Sequence, residues 1–135
     1  MNNYQLIVRV FIFSAIYMLL ILGYSWGSEK IPSYFNINDP QVNDIYFAGT
    51  DEIFKNEKPT KRMCIMVIDS IEGDEITFKV ANQEIISGGY KNFMKYDSDH
   101  LDHPENFKRT YHNNIENLKS MLFKGNIVVV LRNSF

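Results

Sequence analysis

An uncharged apolar run near the N-terminus constrains this chain more than any other feature of its sequence. The run covers residues 10–22 and reads VFIFSAIYMLLIL. Residues 6–8 prolong it towards the N-terminus if the long side chain of Arg9 reaches back to the headgroups. Tyr24 and Trp26 follow the run, and amphipathic aromatic residues favour a membrane interface. Since about 20 apolar residues cross a bilayer, the pattern predicts a membrane segment.

This segment, residues 1–26, has two main interpretations. It is a single-pass anchor that contacts the membrane through residues 6–26, or a signal peptide with Ser25-Trp26-Gly27 as a small-x-small cleavage site. A core helix that is apolar on all faces is a third possibility. Because Arg9 lies at the N-terminal flank, the positive-inside rule places residues 28–135 outside the cytoplasm. We therefore expect a single-pass membrane protein with an extracytoplasmic C-terminal domain, or a secreted or periplasmic protein after cleavage.

The rest of the chain divides into a spacer and one domain. Residues 27–42 read GSEKIPSYFNINDPQV, and we expect a spacer because Pro32 and Pro40, with the polar residues around them, interrupt any helical period. Residues 43–135 are enough for one small domain with a single core.

Five segments of this domain carry β patterns. Residues 44–48 predict a strand with Ile45 and Phe47 on one face and Tyr46 and Ala48 on the other. Residues 63–68 are apolar on both faces, as in a central strand. Residues 75–81, EITFKVA, alternate strictly, and the turn at residues 72–74 predicts a β-hairpin. Residues 83–86 are a candidate for a further short strand, and Ile127–Leu131 predicts a buried final strand.

The strongest helical pattern covers residues 104–123. Its apolar residues step by about four positions and make one stripe on a helix. These residues are Phe107, Tyr111, Ile115, Leu118 and Leu122. Asp102 and Glu105 have the spacing of an N-cap and its partner, Pro104 suits a first turn, and Gly125 suits the position after the last turn.

Together these elements predict an α+β domain. The strands form a small curled antiparallel β-sheet or a partly open barrel, and the amphipathic helix covers it before the final strand. Residues 90–103 are a short helix or an ordered loop.

The densest group of chemically active side chains is YDSDHLDH at residues 96–103. Imidazole and carboxylate groups are zinc ligands when three or four of them converge. The candidate ligands are Asp97, Asp99, His100 and His103, with His112 as a more distant addition. The sequence contains no established ligand spacing such as HExxH. The alternative interpretation is a solvated loop before a capped helix, with no cofactor.

The remaining reactive residue types favour no enzyme. Cys64 lies in an apolar run, which is typical of a buried small residue rather than a reactive thiol. The serines lack a G-x-S-x-G context, and the carboxylates at residues 69–75 fit a hairpin turn. We therefore expect no catalytic residues.

The charge and the tyrosine content of the chain indicate which classes of partner it binds. The chain has 14 Lys and Arg against 16 Asp and Glu, and Arg9 is the only charged side chain before Ser28. The domain is thus slightly acidic, which argues against nucleic-acid binding. Residues 55–62, KNEKPTKR, are a solvated basic loop that could contact anionic headgroups. Tyrosine favours interfaces, and the candidates for a partner surface are Tyr34, Tyr46, Tyr90 and Tyr96.

One pair of phrases, NDPQVNDIYFA and VIDSIEGDEITFKVAN within residues 38–82, resembles uncharacterised small bacterial proteins that are membrane-anchored or exported. In those proteins a P-x-V-G-D-x-Y strand precedes a β-hairpin, and this chain has Asn43 where glycine is usual. The resemblance implies location and fold, and no activity.

The sequence therefore predicts a membrane-tethered or exported cell-envelope protein that binds or assists a protein partner and has no catalytic activity. The alternative function is a metal-dependent, zinc-type site in the loop at residues 97–103.

Overall fold

The computed structural model describes residues 2–54, 61–86 and 88–132, except for the side chains of residues 23–29. Its helices are α1 (Asn3–Asn38), α2 (Thr50–Phe54), α3 (Tyr90–Tyr96) and α4 (Ile115–Lys124). Its strands are β1 (Ile45–Gly49), β2 (Arg62–Glu72), β3 (Glu75–Ile86), β4 (Phe107–Asn114) and β5 (Ile127–Leu131). Two short 3-10 turns, Ser98–Asp102 and Pro104–Asn106, lie between α3 and β4.

The strands form one open antiparallel sheet in the order β4-β3-β2-β1-β5. This confirms the α+β prediction, with an open sheet as the architecture. Because β4 and β5 occupy opposite edges, the connection through α4 must cross a whole face of the sheet.

Each face of the sheet has its own apolar core, since successive strand side chains point to opposite faces. On the first face the strands pack under α4, α2 and the last turns of α1. Its fully buried residues include Ile37, Tyr46, Met66, Phe78, Leu118 and Leu122. On the second face the strands pack under α3, and its buried residues include Phe47, Ile65, Val67, Phe93 and Val129.

The strand predictions are confirmed at the centre of the sheet. β2 and β3 form the expected hairpin, with Gly73 in the left-handed region at φ +62°. Ile76, Phe78 and Val80 share one face and are at most 1% exposed. The prediction for residues 83–86 is confirmed only as a continuation of β3. The sequence also makes Phe135 a candidate to complete the core, and this residue lies outside the described part of the chain.

The helix predicted over residues 104–123 is wrong in its first half. Residues 104–106 form a 3-10 turn and Phe107–Asn114 is β4, so the helix begins only at Ile115. The sequence of β4, FKRTYHNN, contains β-branched, aromatic and Asn residues that are poor helix formers. It pairs with β3 instead, from Ala81↔Phe107 to Glu75↔Asn114. A long-range edge pairing therefore overrides the apolar spacing.

The predicted N-cap at Asp102 is wrong for the same reason. The N-cap of α4 is Asn114, whose side chain accepts a hydrogen bond of 2.8 Å from the backbone N–H of Asn117. The end of the helix is confirmed, because Gly125 follows it in the left-handed region at φ +83°. Leu118 and Leu122 are fully buried, as the apolar stripe predicted.

α1 does not stop where the spacer was expected. The helix continues through residues 27–38 with Pro32 inside it. Ser33 and Ile37 are fully buried against the sheet. The end of α1 is therefore part of the domain core, which the prolines and polar residues of this segment did not indicate.

Two side chains of α1 form hydrogen bonds with backbone groups on the exposed edge of β5. The backbone N–H of Val130 donates to Ser33 Oγ at 2.9 Å, and Asn36 Nδ2 donates to the Val130 carbonyl at 3.0 Å. Unpaired edge groups invite pairing with other chains, so the helix acts here as a substitute for a neighbouring strand.

An ion pair stabilises the adjoining region, where α1 ends and β1 begins. Arg132 donates to both carboxylate oxygens of Asp44 at 3.2 Å and to the carbonyl of Asp39 at 2.6 Å. The Asp44 side chain is 1% exposed, and its hydrogen bond raises the pKa of Arg132 above its ordinary value. The end of α1, the start of β1 and the residue after β5 are thereby joined.

Asn43 is the only non-glycine residue with a positive φ among the described residues, at +75°. Its N–H donates to the carbonyl of Ile68 at 2.9 Å in the turn that leads into β1. The left-handed conformation is easiest for glycine, so a residue with a side chain is strained at this position.

We expect Asn43→Val to lower the free energy of unfolding by about 1–2 kcal/mol, because a side chain branched at Cβ is strained at this φ. Asn43→Gly should leave it unchanged or raise it. Urea unfolding of the full chain in detergent micelles measures both changes. Thr110→Val, at an exposed position of β4, is the control. A tolerated Asn43→Val would show that this turn has another conformation.

We expect Arg132→Ala to destabilise the fold by about 2–4 kcal/mol, because it leaves a buried carboxylate without its partner. Arg132→Lys should recover only part of the loss, since lysine lacks the two-pronged geometry. A double-mutant cycle with Asp44→Ala gives the coupling energy, and Lys124→Ala is the exposed control. Additive effects of the two substitutions would contradict the ion pair.

Candidate functional site

The Asp/His segment follows α3 on the second face of the sheet. Asp97 ends α3, with its N–H donating to the carbonyl of Phe93 at 2.8 Å. The 3-10 turn Ser98–Asp102 follows, and Leu101 packs against the apolar core below it. A half-buried leucine therefore holds the segment on the sheet, and most of the polar residues around it are exposed.

The three histidines have different surroundings. His100 is half-buried, and its Nε2 has no hydrogen-bond partner among the described residues. His103 is 58% exposed, with Nδ1 3.7 Å from a carboxylate oxygen of Glu105. His112 lies on β4, where its Nδ1 is 3.0 Å from Thr77 Oγ1. The sequence could not indicate this last contact, because it depends on the pairing of β4 with β3.

The described part of the chain, which includes Asp97, Asp99, His100 and His103, holds no group of three or more His, Cys, Asp or Glu side chains placed to bind a metal ion. The zinc site stays a prediction, and its support in the geometry is limited to the unpartnered Nε2 of His100.

Cys64 and the acidic turn are placed as the sequence predicts. Cys64 is fully buried, and burial raises the pKa of its thiol to about 12. The nucleophilic thiolate is therefore scarce at neutral pH. The carboxylates of the β2–β3 turn are all solvent-exposed: Asp69, Glu72, Asp74 and Glu75.

The four tyrosines do not form one surface. Tyr46 is fully buried and Tyr90 is 8% exposed, so both belong to the cores. Burial raises the pKa of Tyr46 well above its ordinary value, and its hydroxyl has no hydrogen-bond partner among the described residues. Tyr34 packs at the edge of the first core, and Tyr96 is 69% exposed elsewhere. Tyr34 lies beside the exposed rings of Phe35 and Phe123.

Those groups line an apolar groove between α1 and α4. We call it the α1–α4 groove, and its lining residues are Lys30, Ile31, Tyr34, Phe35 and Phe123. Ile31 is 47% exposed, Phe35 64% and Phe123 55%. The ring of Tyr34 lies 5.8 Å from that of Phe123 and 6.0 Å from that of Phe35. Large apolar side chains from two helices thus meet at one exposed place.

Sequence reasoning missed this groove. Ile31 and Phe35 belonged to the expected spacer, and Phe123 to the end of an expected core helix. The available signal was their spacing, since residues four apart lie on one side of a helix. This spacing predicts a shared helix face only if α1 continues past Pro32.

We expect His100→Ala combined with His103→Ala to leave the zinc content of the full chain unchanged, because none of the described residues adds a third ligand to these two side chains. The measurement is elemental analysis after purification and dialysis against zinc, together with thermal unfolding with and without the metal. His112→Ala is the matched control on β4. Stoichiometric zinc that disappears in the double variant would establish the metal site.

Comparison of the chain with protein-family models, with curated proteins and with solved structures gave no match.

Proposed function

We propose that this chain is a membrane-tethered cell-envelope protein that acts by binding a protein partner and catalyses no reaction. The observation that carries the proposal is the dual use of α1. Its first part, Asn3–Leu22, is long and apolar enough to cross a membrane, and none of it is buried against the rest of the chain. Its last turns are part of the domain core.

The length of the exposed part suits a bilayer. Twenty helical residues rise about 30 Å, which equals the thickness of the hydrocarbon core. Because the helix continues without interruption into the domain, a single-pass anchor would hold the domain at a set distance from the membrane. Cleavage near residues 25–27 would instead release the domain with Ser33, Asn36 and Ile37 still in place, so the secreted form remains the alternative.

A binding role is supported by the kind of surface that the domain exposes. The α1–α4 groove offers apolar area, which drives association, whereas the buried thiol and the dispersed histidines offer no assembled reaction centre among the described residues. The zinc-type function in residues 97–103 is the second candidate, and it rests on the unpartnered Nε2 of His100.

We expect the full chain to remain with the membrane after an alkaline carbonate wash, because about 20 apolar residues hold it there. Intact-mass analysis of the extracted protein should show an uncleaved N-terminus. A soluble product that begins near residue 28 would establish the signal peptide instead.

We further expect a protein partner to co-purify with the tagged full chain from its native membranes in mild detergent. A matched control carries residues 1–30 on an unrelated soluble domain, which separates binding by the domain from binding by the span. Enrichment with the full chain alone supports the proposal. A strictly monomeric chain with no enriched protein, or equal enrichment with the control, would overturn it.

A further inference from the structure

We infer that an extended segment of another protein adds to the free edge of β4 as a sixth, antiparallel strand of the sheet. The segment carries acidic residues at the end that lies beside Lys108 and Arg109. The inference rests on the proposed binding function. It names a surface, separate from the α1–α4 groove, together with the class of segment that binds there.

The pairing of β4 with β3 determines which backbone groups of β4 point outward. The N–H of Ile115 donates to the carbonyl of Asp74 at 3.1 Å, and the register is regular from there to residue 109. Because hydrogen-bonded and non-hydrogen-bonded pairs alternate along an antiparallel ladder, the N–H and carbonyl groups of Thr110 and His112 point away from β3. The contact of 3.0 Å between the side chains of His112 and Thr77 agrees with this assignment, since side chains lie closer in non-hydrogen-bonded pairs.

The two edges of the sheet differ in how their outward groups are satisfied. On β5, Ser33 and Asn36 of α1 bond to the N–H and the carbonyl of Val130. On β4, no described residue forms a hydrogen bond with the outward backbone groups of Thr110 and His112. Free N–H and carbonyl groups along an edge are a template for pairing with an extended chain. Strand addition of this kind is a recurring mode of protein recognition.

The features that protect an edge strand occupy only the first part of β4. The register shifts opposite Val80 and Ala81, which places Lys108 in a bulge, and bulges and charged residues both hinder edge pairing. Residues 110–114, TYHNN, contain no proline, lysine, arginine or carboxylate. This part of the edge is therefore open for pairing over about 17 Å.

A second copy of this chain does not fit the edge under the proposed anchor. Ser33 and Asn36 reach the N–H and the carbonyl of Val130 in turn. The carbonyl of Asp39 then accepts from Arg132, so α1 runs along β5 in the direction of the strand. Two identical β4 edges in one continuous sheet are related by a two-fold axis perpendicular to the sheet, which would point the two membrane spans in opposite directions. The added strand therefore comes from another protein.

The charge at one end of the edge selects the sequence of that strand. β4 contains two cations, Lys108 and Arg109, and no acidic residue. Lys108 forms no ion pair with a described residue, and the guanidinium carbon of Arg109 lies 4.0 Å from the centre of the Phe54 ring. Opposite charges on neighbouring strands stabilise their pairing, whereas like charges destabilise it. Aspartate or glutamate in the added strand therefore fits this end of β4, and lysine or arginine does not.

The test uses the full chain in nanodiscs of neutral phosphatidylcholine and synthetic eight-residue peptides rich in threonine and valine. One peptide carries two glutamates near its C-terminus, where an antiparallel strand meets Lys108 and Arg109, and the other carries two lysines there. Fluorescence anisotropy should show the glutamate peptide binding about tenfold more tightly. Lys108→Glu should abolish this preference, and Lys124→Glu on α4 is the charge-matched control. Empty nanodiscs measure the contribution of lipid.

Methylation of the peptide backbone separates strand addition from other modes of binding. Two N-methyl groups on the peptide residues opposite Thr110 and His112 remove hydrogen bonds to β4, and should weaken binding by the glutamate peptide about tenfold. The same two groups on the adjacent peptide residues, whose N–H groups point away from β4, should change the affinity little. This pair of peptides has the same composition and differs only in which edge of the peptide is blocked.

Variants and hydrogen exchange locate the binding site. Thr110→Pro removes an outward N–H, which an edge strand tolerates, and should weaken binding about tenfold. Thr110→Val keeps the N–H and is its matched control, and thermal unfolding checks the fold of both. In the unmodified chain the N–H groups of Thr110 and His112 should exchange faster than those of Tyr111 and Asn113, which bond to β3. The glutamate peptide should slow the exchange of Thr110 and His112.

Other outcomes overturn the inference. These are equal loss from the two methylation patterns, equal binding to empty nanodiscs, or unchanged exchange of Thr110 and His112 in the presence of the peptide. Equal affinity for the glutamate and lysine peptides would overturn the acidic assignment. A dimer of the full chain that Thr110→Pro dissociates would identify a second copy as the occupant.

The native partner separates this inference from the proposed function. If it co-purifies with the unmodified chain and with Thr110→Val but not with Thr110→Pro, the inference is supported. If it co-purifies equally with Thr110→Pro, the binding function stands and the β4 edge is not its site. If the glutamate peptide binds but no native partner co-purifies, the proposed function fails instead.

Discussion

The attachment of α1 to the edge strand β5 is the interaction on which the rest of this structure depends. Ser33 and Asn36 satisfy the backbone N–H and carbonyl of Val130, and the ion pair between Arg132 and Asp44 holds the adjoining corner. Without these bonds the sheet would end in an open edge strand, and the apolar span would be a flexible appendage. With them, the direction of the span relative to the sheet is set.

That direction gives the domain two distinct ends. Because neighbouring strands are antiparallel, the end of β1, the start of β2 at Arg62 and the end of α4 lie towards the span. The acidic turn between β2 and β3 lies at the far end. The basic loop that the sequence suggested for contact with headgroups adjoins Arg62, while its residues 55–60 fall outside the described part of the chain. Under the proposed anchor, Lys61, Arg62 and the α1–α4 groove therefore share the membrane side.

The sequence predicted the central hairpin and the edge strand β5 better than the edge strand β4. The hairpin of β2 and β3 follows from local alternation and a glycine turn, both of which act between residues close in the chain. β4 was mistaken for a helix because the spacing of Phe107 and Tyr111 suits both structures, and only pairing with β3 decides between them. For the candidate site, the composition of residues 97–103 was evident, but the contact of His112 with Thr77 was not, because it too depends on that pairing.

By itself the sequence determined that the chain carries a membrane-length apolar helix, a β-hairpin, a buried final strand and a single buried cysteine. Each of these is set by local periodicity or composition, which the order of residues records directly. The tertiary structure decided that α1 passes Pro32 and becomes part of the domain, and that Ile31 and Phe35 meet Phe123 in one groove. Residues so distant in sequence are brought together only by packing against a common sheet, and no local pattern specifies that encounter.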